Sequence, residues 1–176
     1  MILIQQTTQA NVDKALINLE SYLTVRQLHE LDEETLQSLI RPAGFYKQKS
    51  KYIKALMKWF IDHGESFDKF DEYTDKELRI ELLSIKGVGP ETADAMMLYL
   101  FERQVFIGDQ YAIRLFKRLG LGEYENLEHM RGEFNHLAER VPLELCKEWH
   151  AAVDVHGKAY RLNKNMDETW LFLSNI

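Results

Sequence analysis

The fold is decided by the stretch LSIKGVGPETAD at residues 83–94, in which two glycines separate two helical segments. Gly87 and Gly89 allow a tight turn, because glycine adopts positive φ without steric cost. Pro90 presets φ at the first position of a new helix, whose apolar residues recur at helical spacing. The free N–H groups of such a hairpin point outward together and suit a phosphate oxygen. We therefore predict a helix-hairpin-helix that binds phosphate, with Lys86 adding positive charge.

An acid follows the hairpin at the start of another predicted helix. Asp109 lies sixteen residues beyond Ala93, in the segment VFIGDQYAIRL of residues 105–115. Aspartate at a helix start often serves simply as an N-cap, which is one interpretation of this residue. A hairpin followed at this distance by an aspartate also resembles the helix-hairpin-helix DNA glycosylase superfamily, the relatives of endonuclease III. The ETAD of residues 91–94 is most similar to the 3-methyladenine branch, and the resemblance covers about residues 3–161.

This resemblance implies an all-α fold of two helical lobes with a cleft between them. The first lobe, residues 1–104, contains the hairpin, and the second, residues 105–176, starts at the aspartate loop. Helical periodicity along the chain agrees with this fold class, and no run of alternating β-branched residues predicts a strand. A capping box at Thr74 and simpler caps at Asp32 or Asp13 predict further helix starts.

The resemblance also implies roles for site residues. Members of the superfamily flip a damaged base out of double-stranded DNA and break its N-glycosidic bond through a transition state with oxocarbenium character. An ionised carboxylate stabilises that positive charge and orients or activates water, which is the role implied for Asp109. The residues implied to contact DNA are Lys86, Gly87, Val88 and Gly89 of the hairpin, Gln5 in the QQTT segment, and Lys47 beside the turn at Gly44.

Two further residues are implied to lie at the base pocket. Lys158 belongs to an HGK triplet that looks like the histidine-glycine-basic triplet of the family, although a lysine near a helix C-terminus also suits the helix dipole. Glu91 stands where bifunctional members carry a lysine, whose amine forms a Schiff base with the sugar. A carboxylate cannot form that adduct. The resemblance therefore implies a monofunctional glycosylase that leaves an abasic site.

Composition bears on cofactors and on charge. The single cysteine, Cys146, excludes the four-cysteine iron–sulfur cluster of many relatives, and the six histidines show no metal-binding spacing, so we expect no cofactor and no metal.

The net charge of −6 is unusual for a DNA-binding protein. Two basic groups nevertheless predict phosphate contacts, although each is explained equally well as a solvated helix face. They are Lys47, Lys49, Lys51, Lys54 and Lys58, and the trio Arg114, Lys117 and Arg118.

Other features set expectations for the whole chain. No apolar run approaches the length of a membrane span, and the lone cysteine indicates a reducing compartment, so we expect a cytoplasmic monomer that associates with the nucleoid when bound to DNA. The resemblance implies additional helices before Gln5, so the chain is expected to start inside a buried helix. After residue 161, Trp170, Leu171 and Leu173 predict that the tail docks on the protein.

The sequence thus favours a monofunctional DNA N-glycosylase of base excision repair that acts on alkylated purines. The alternative is a non-catalytic helix-hairpin-helix DNA-binding protein, and a third possibility is a helical protein unrelated to DNA. The substitution Asp109→Asn separates the first two, because it should abolish turnover and spare DNA binding in a glycosylase. Salt-dependent duplex binding separates both from the third.

Overall fold

The structure, a computed structural model, describes residues 1–172, and every regular element in this range is a helix or a 3₁₀ turn. The all-α prediction is therefore confirmed. The α-helices of the described residues are α1 Gln9–Asn18, α2 Val25–Glu30, α3 Glu33–Ile40, α4 Tyr46–Asp62, α5 Asp75–Ser84, α6 Pro90–Tyr99, α7 Gln110–Arg118, α8 Leu127–Ala138 and α9 Leu143–Leu162. The 3₁₀ turns are Ile2–Ile4, Glu20–Tyr22, Arg41–Ala43, Asp68–Phe70 and Thr169–Phe172. None of the helices described has the length and apolar character needed to cross a membrane.

Most helix starts are explained by capping. The Thr74 hydroxyl accepts from the backbone N–H of Glu77, whose carboxylate accepts in turn from the Thr74 N–H, so the predicted capping box is confirmed. Asp32 caps α3 through the N–H of Thr35, at 2.8 Å. A cap at Asp13 was the wrong alternative, because Asp13 lies inside α1, where its carboxylate bonds a neighbouring side chain.

The chain forms two compact units, of which the first is Met1–Arg103. In this unit α4 packs against α2 and α3, and the N-terminal 3₁₀ turn joins the same core. Apolar residues at helical spacing explain the packing, since Ile53 is buried and the stripe continues through Leu56 and Met57. The buried residues of this core are Ile2, Leu19, Leu36, Ile40 and Ile53.

The second unit begins at Gln104 and contains α7, α8 and α9. Its core is built around Ala112, Tyr124 and Met130. Helices α7 and α9 approach closely at Gly157, where a Cβ atom would lie 2.3 Å from Cδ1 of Tyr111. Glycine at this position of α9 is therefore required by the ring of Tyr111, which occupies the space that any side chain would need.

The segment after α9 docks within the second unit. Glu168 binds Arg118 of α7 and His156 of α9, and the ring of Trp170 lies edge-on to that of His156, with centroids 6.0 Å apart. Contacts at Glu168 and Trp170 agree with the predicted docking of the tail. Leu173 lies outside the described residues.

Candidate active site and DNA interface

The hairpin lies in the first unit, between α5 and α6. Its turn is closed by a hydrogen bond of 3.0 Å from the N–H of Val88 to the carbonyl of Ile85. Gly87 adopts φ +93°, in the region that only glycine enters at low cost, whereas Gly89 is extended and caps α6. Pro90 occupies the first position of α6, as its fixed φ predicts. The sequence motif thus folds as the helix-hairpin-helix that it predicts.

Tyr52 of α4 fixes the hairpin from behind. A Cβ atom on Gly87 would lie 2.1 Å from Cγ of Tyr52, so the backbone at Gly87 rests directly against the aromatic ring. Gln5 adds two hydrogen bonds, donating from Nε2 to the carbonyl of Gly87 at 3.1 Å and to Oγ1 of Thr92 at 3.2 Å. The structure therefore brings Gln5 to the hairpin, although the two segments are more than eighty residues apart in the sequence.

The hairpin keeps two backbone donors for a ligand. Among the described residues, neither the N–H of Gly87 nor that of Gly89 donates a hydrogen bond, and the side chain of Lys86 is exposed beside them. Val88 differs from its neighbours, because its side chain is buried and its N–H closes the turn. Its place in the structure is that of an anchor for the turn. A phosphate at the hairpin would meet the two glycines and Lys86.

The basic face predicted on α4 is smaller than its five lysines indicate. Lys49 is only 2% exposed, and its Nζ donates to the carbonyls of Leu3 and Ala43, each at 2.8 Å. Burial lowers the pKa of this ammonium group. Lys54 donates to backbone carbonyls at the end of α2, and Lys58 pairs with Asp62. Lys47 and Lys51 remain exposed and make no ion pair within residues 1–172.

Asp109 is the N-cap of α7 in the second unit. Its carboxylate accepts a hydrogen bond of 2.6 Å from the N–H of Ala112, and the residue is 5% exposed. Burial raises the pKa of Asp109, while the Ala112 N–H acts in the opposite direction. The structure therefore confirms the N-cap interpretation. It also gives this residue what a catalytic carboxylate needs, which is a fixed position in a site from which water is largely excluded.

Two residues of α9 that sequence reasoning missed lie near Asp109. His150 and Asp154 both interact electrostatically with its carboxylate. Burial is the main influence on His150 and lowers its pKa, against the effect of the two carboxylates. Lys158 follows Asp154 by one turn, and its Nζ lies 2.6 Å from Oδ2 of Asp154. The i, i+4, i+8 spacing of the three residues was the sequence signal, since it places them on one face of a helix.

Two of the three basic residues of α7 that were predicted to contact phosphate already have partners within the protein. Arg118 is bound to Glu168, and Lys117 pairs with Glu123 at 3.1 Å, so of the basic trio on α7 only Arg114 is exposed and outside these pairs. Glu91 is exposed at the second position of α6, where a negative charge suits the helix N-terminus. Within the part of the chain that the structure describes, no three His, Cys, Asp or Glu side chains are arranged to hold a metal ion.

Comparison with known proteins agrees with both the hairpin and the fold. A family model described as HhH-GPD superfamily base excision DNA repair protein matches residues 1–140. A protein of Methanocaldococcus jannaschii, assigned provisionally as a DNA repair glycosylase, is 39% identical over 167 residues, which cover 90% of this chain and 74% of the relative.

Solved structures show the same fold. The H. pylori 3-methyladenine DNA glycosylase bound to 1,N6-ethenoadenine matches 94% of this chain and 83% of its own length, with a TM-score of 0.72 and 24% identity. A non-covalent endonuclease III–DNA complex matches 81% of this chain and 63% of its own, with a TM-score of 0.62 and 27% identity. The chain therefore belongs to the HhH-GPD superfamily of base excision DNA repair proteins, and within it to the DNA glycosylases.

Proposed function

We propose that this protein is a monofunctional N-glycosylase that removes alkylated purines from double-stranded DNA and leaves an abasic site. The observation that carries the proposal is the buried carboxylate of Asp109, held by the Ala112 N–H at 2.6 Å. Cleavage of the N-glycosidic bond develops positive charge on the sugar. A carboxylate fixed in a site of low dielectric stabilises that charge more strongly than a solvated one does.

The ionised form of Asp109 is the active one in this mechanism. Burial favours the protonated form, and the hydrogen bond from Ala112 together with the N-terminus of α7 favours the ionised form. Because the balance leaves its pKa above the ordinary aspartate value, base release should fall on the acid side at a higher pH than a solvated aspartate would give. His150 and Asp154 belong to the same electrostatic environment.

The hairpin is proposed to bind the DNA backbone. The N–H groups of Gly87 and Gly89, with Lys86 beside them, suit one phosphate, and Lys47 is a further proposed contact with the backbone. Gln5 is a proposed DNA contact through Oε1 only, because its Nε2 already donates two hydrogen bonds at the hairpin. Phe45 is a further candidate in the same unit, because it is 61% exposed and holds φ +45°, a strained conformation for an aromatic residue. An exposed aromatic side chain of this kind can insert between bases.

The monofunctional assignment rests on Glu91. In the resemblance drawn from the sequence, bifunctional members use a lysine amine at this point of the helix to form a Schiff base with the sugar. The exposed carboxylate of Glu91 has no such chemistry. The expected product is therefore an abasic site with an intact strand.

The charge near Asp109 supports the proposed substrate class. Asp154 pairs with Lys158, so the proposed pocket lysine brings no unbalanced positive charge, and Asp109 leaves the group net negative. A cationic, alkylated purine suits such a site, and it departs without first being protonated. The fold shared with the H. pylori enzyme is consistent with this class.

We further propose that the protein acts without a cofactor or a metal ion. We also propose that it is a monomer that acts on nucleoid DNA in the cytoplasm.

The test is an assay of base release from methylated duplex DNA, with chromatography of the released bases. We expect the wild type to release methylated purines without strand cleavage and Asp109→Asn to release none while binding the duplex normally. Borohydride should trap no covalent complex with the wild type. Trapping would refute the monofunctional assignment, and it would leave the glycosylase assignment intact.

The alternative is a helix-hairpin-helix protein that binds DNA without catalysis. It predicts salt-dependent duplex binding that Lys86→Ala weakens, no base release, and no functional effect of Asp109→Asn. The absence of salt-dependent duplex binding would refute both functions and favour a role unrelated to DNA.

A further inference from the structure

The segment that follows α9, residues 163–172, forms a strap that contacts both α7 and α9. Oε2 of Glu168 accepts from Nε of Arg118 at 2.8 Å, and Oε1 accepts from Nη2 at 2.7 Å. Nε2 of His156 lies 2.7 Å from the same Oε1. The carboxylate of Glu168 therefore joins Arg118, the last residue of α7, to His156 in the C-terminal half of α9.

This ion pair differs from an ordinary surface pair. The side chains of Glu168 and Arg118 are 14% and 23% exposed, and the Arg118 guanidinium lies 3.6 Å from the centroid of the Tyr160 ring. Hydrogen bonds from Arg118, with a smaller contribution from His156, lower the pKa of Glu168 to about 2. A bidentate, stacked and shielded pair stays formed over the whole neutral range, unlike most solvated pairs.

The two helices joined by the strap are those that hold the candidate catalytic group. Helix α7 starts at its N-cap Asp109 and ends at Arg118. His156 lies on α9 between Asp154 and Lys158, next to Gly157, which contacts the ring of Tyr111 in the first turn of α7. The residues that bind Glu168 and the residues that surround Asp109 therefore lie on the same two helices.

We propose that Glu168 is a positioning residue, which clamps Arg118 to His156 and so holds α7 against α9 with Asp109 beside His150 and Asp154. The effect on catalysis rests on the proposed function. The clamp itself does not, because it concerns the packing of α7 on α9. Glu168 acts through Arg118 and α7, and it has no assigned contact with DNA.

The test compares Glu168→Gln with Glu123→Gln. The control removes the carboxylate that pairs with Lys117 on the same helix, where both side chains are largely exposed. Three quantities are measured well below the melting temperature: the single-turnover rate of base release, the Kd for duplex DNA, and the hydrogen exchange of the Ala112 amide. In Glu168→Gln we expect the rate to fall at least tenfold at unchanged Kd, within the roughly 100-fold that a 1 Å displacement costs. The Ala112 amide should exchange faster, and Glu123→Gln should match the wild type.

The outcomes separate the two proposals. If the wild type releases no base, the proposed function fails, and the exchange of the Ala112 amide still tests the clamp. If Glu168→Gln melts at a lower temperature yet keeps the wild-type rate and exchange, Glu168 has no positioning role and the inference is overturned. Should Glu168→Gln fail to fold, Arg118→Lys replaces it, because lysine keeps the charge and loses the bidentate fork.

Discussion

The carboxylate of Asp109 accepts a 2.6 Å hydrogen bond from the backbone N–H of Ala112 in the interior of the second unit. This one contact has two opposite consequences for the protein. It satisfies a donor at the start of α7 and so stabilises the helix. It also keeps a negative charge where burial opposes ionisation, so part of the stability of the fold is given up at the group proposed to act on DNA.

Asp109→Asn should therefore remove base release without reducing stability at neutral pH. Asparagine still accepts from the Ala112 N–H and carries no charge to bury. The folded-state pKa of Asp109 lies above its ordinary value of 3.8. The contribution of this group to wild-type stability therefore falls as the pH rises from 3.8 through the folded-state pKa. The variant lacks this loss. Thermal melts of both proteins from pH 4 to 8 measure the difference, and a variant that melts lower at pH 7 would contradict the prediction.

Gly87→Ala should disturb the hairpin, while Gly89→Ser should not. At Gly87 the φ of +93° and the approach of Tyr52 both oppose a Cβ atom, for a cost of about 1–3 kcal/mol. Gly89 is extended, no atom lies within 4 Å of the place that a Cβ would take, and serine is a favoured N-cap there. Urea unfolding compares the two variants. A Gly87→Ala variant as stable as Gly89→Ser would contradict the prediction and show that Tyr52 yields to the added methyl group.

Gly157→Ala and Gly132→Ala form a second matched pair, both within helices. Gly132 on α8 has open space around it, so alanine should stabilise the helix by about 0.5–1 kcal/mol. At Gly157 the Tyr111 ring opposes the same methyl group, and the variant should lose about 1–3 kcal/mol and slow base release. Melting temperatures and single-turnover rates distinguish them, and a stabilised Gly157→Ala would disprove the tight contact between α7 and α9.

How far the sequence predicted the molecule depended on the range of each interaction. The hairpin and the cap at Asp109 follow from neighbouring residues, so the sequence pattern predicted them correctly. Lys49 was placed on the basic face because one of the two carbonyls that it binds, that of Leu3, lies 46 residues away in the sequence. Arg118 was predicted to contact phosphate for the same reason, because its partner Glu168 is 50 residues further along the sequence. Helical periodicity shows that a residue is polar, but it does not show which distant group the residue binds.

In Glu168→Gln, the free energy of unfolding should fall less steeply with decreasing pH than in the wild type. The folded-state pKa of about 2 lies below the ordinary value of 4.5, so the stability due to this carboxylate is complete above pH 4.5 and is lost as pH falls toward 2. Glutamine cannot ionise and does not contribute this loss. The measurement is the free energy of unfolding from urea titrations at several pH values between 2.5 and 6, with Glu123→Gln as the control. Parallel curves for wild type and Glu168→Gln would argue against the shifted pKa.

Lys49→Met should destabilise the first unit, whereas Lys51→Met should leave it within about 0.5 kcal/mol of the wild type. Methionine fills a similar volume at residue 49 but leaves the carbonyls of Leu3 and Ala43 without their donor, at a cost of about 1–3 kcal/mol. Lys51 is exposed on the same helix. Lys49→Met should also disturb the hairpin. Lys49 holds the 3₁₀ turn Ile2–Ile4, which leads directly into Gln5, and Gln5 donates a hydrogen bond to the carbonyl of Gly87. Urea unfolding measures the first effect and duplex binding the second. A stable Lys49→Met with weakened binding would instead mean that Lys49 reaches DNA itself.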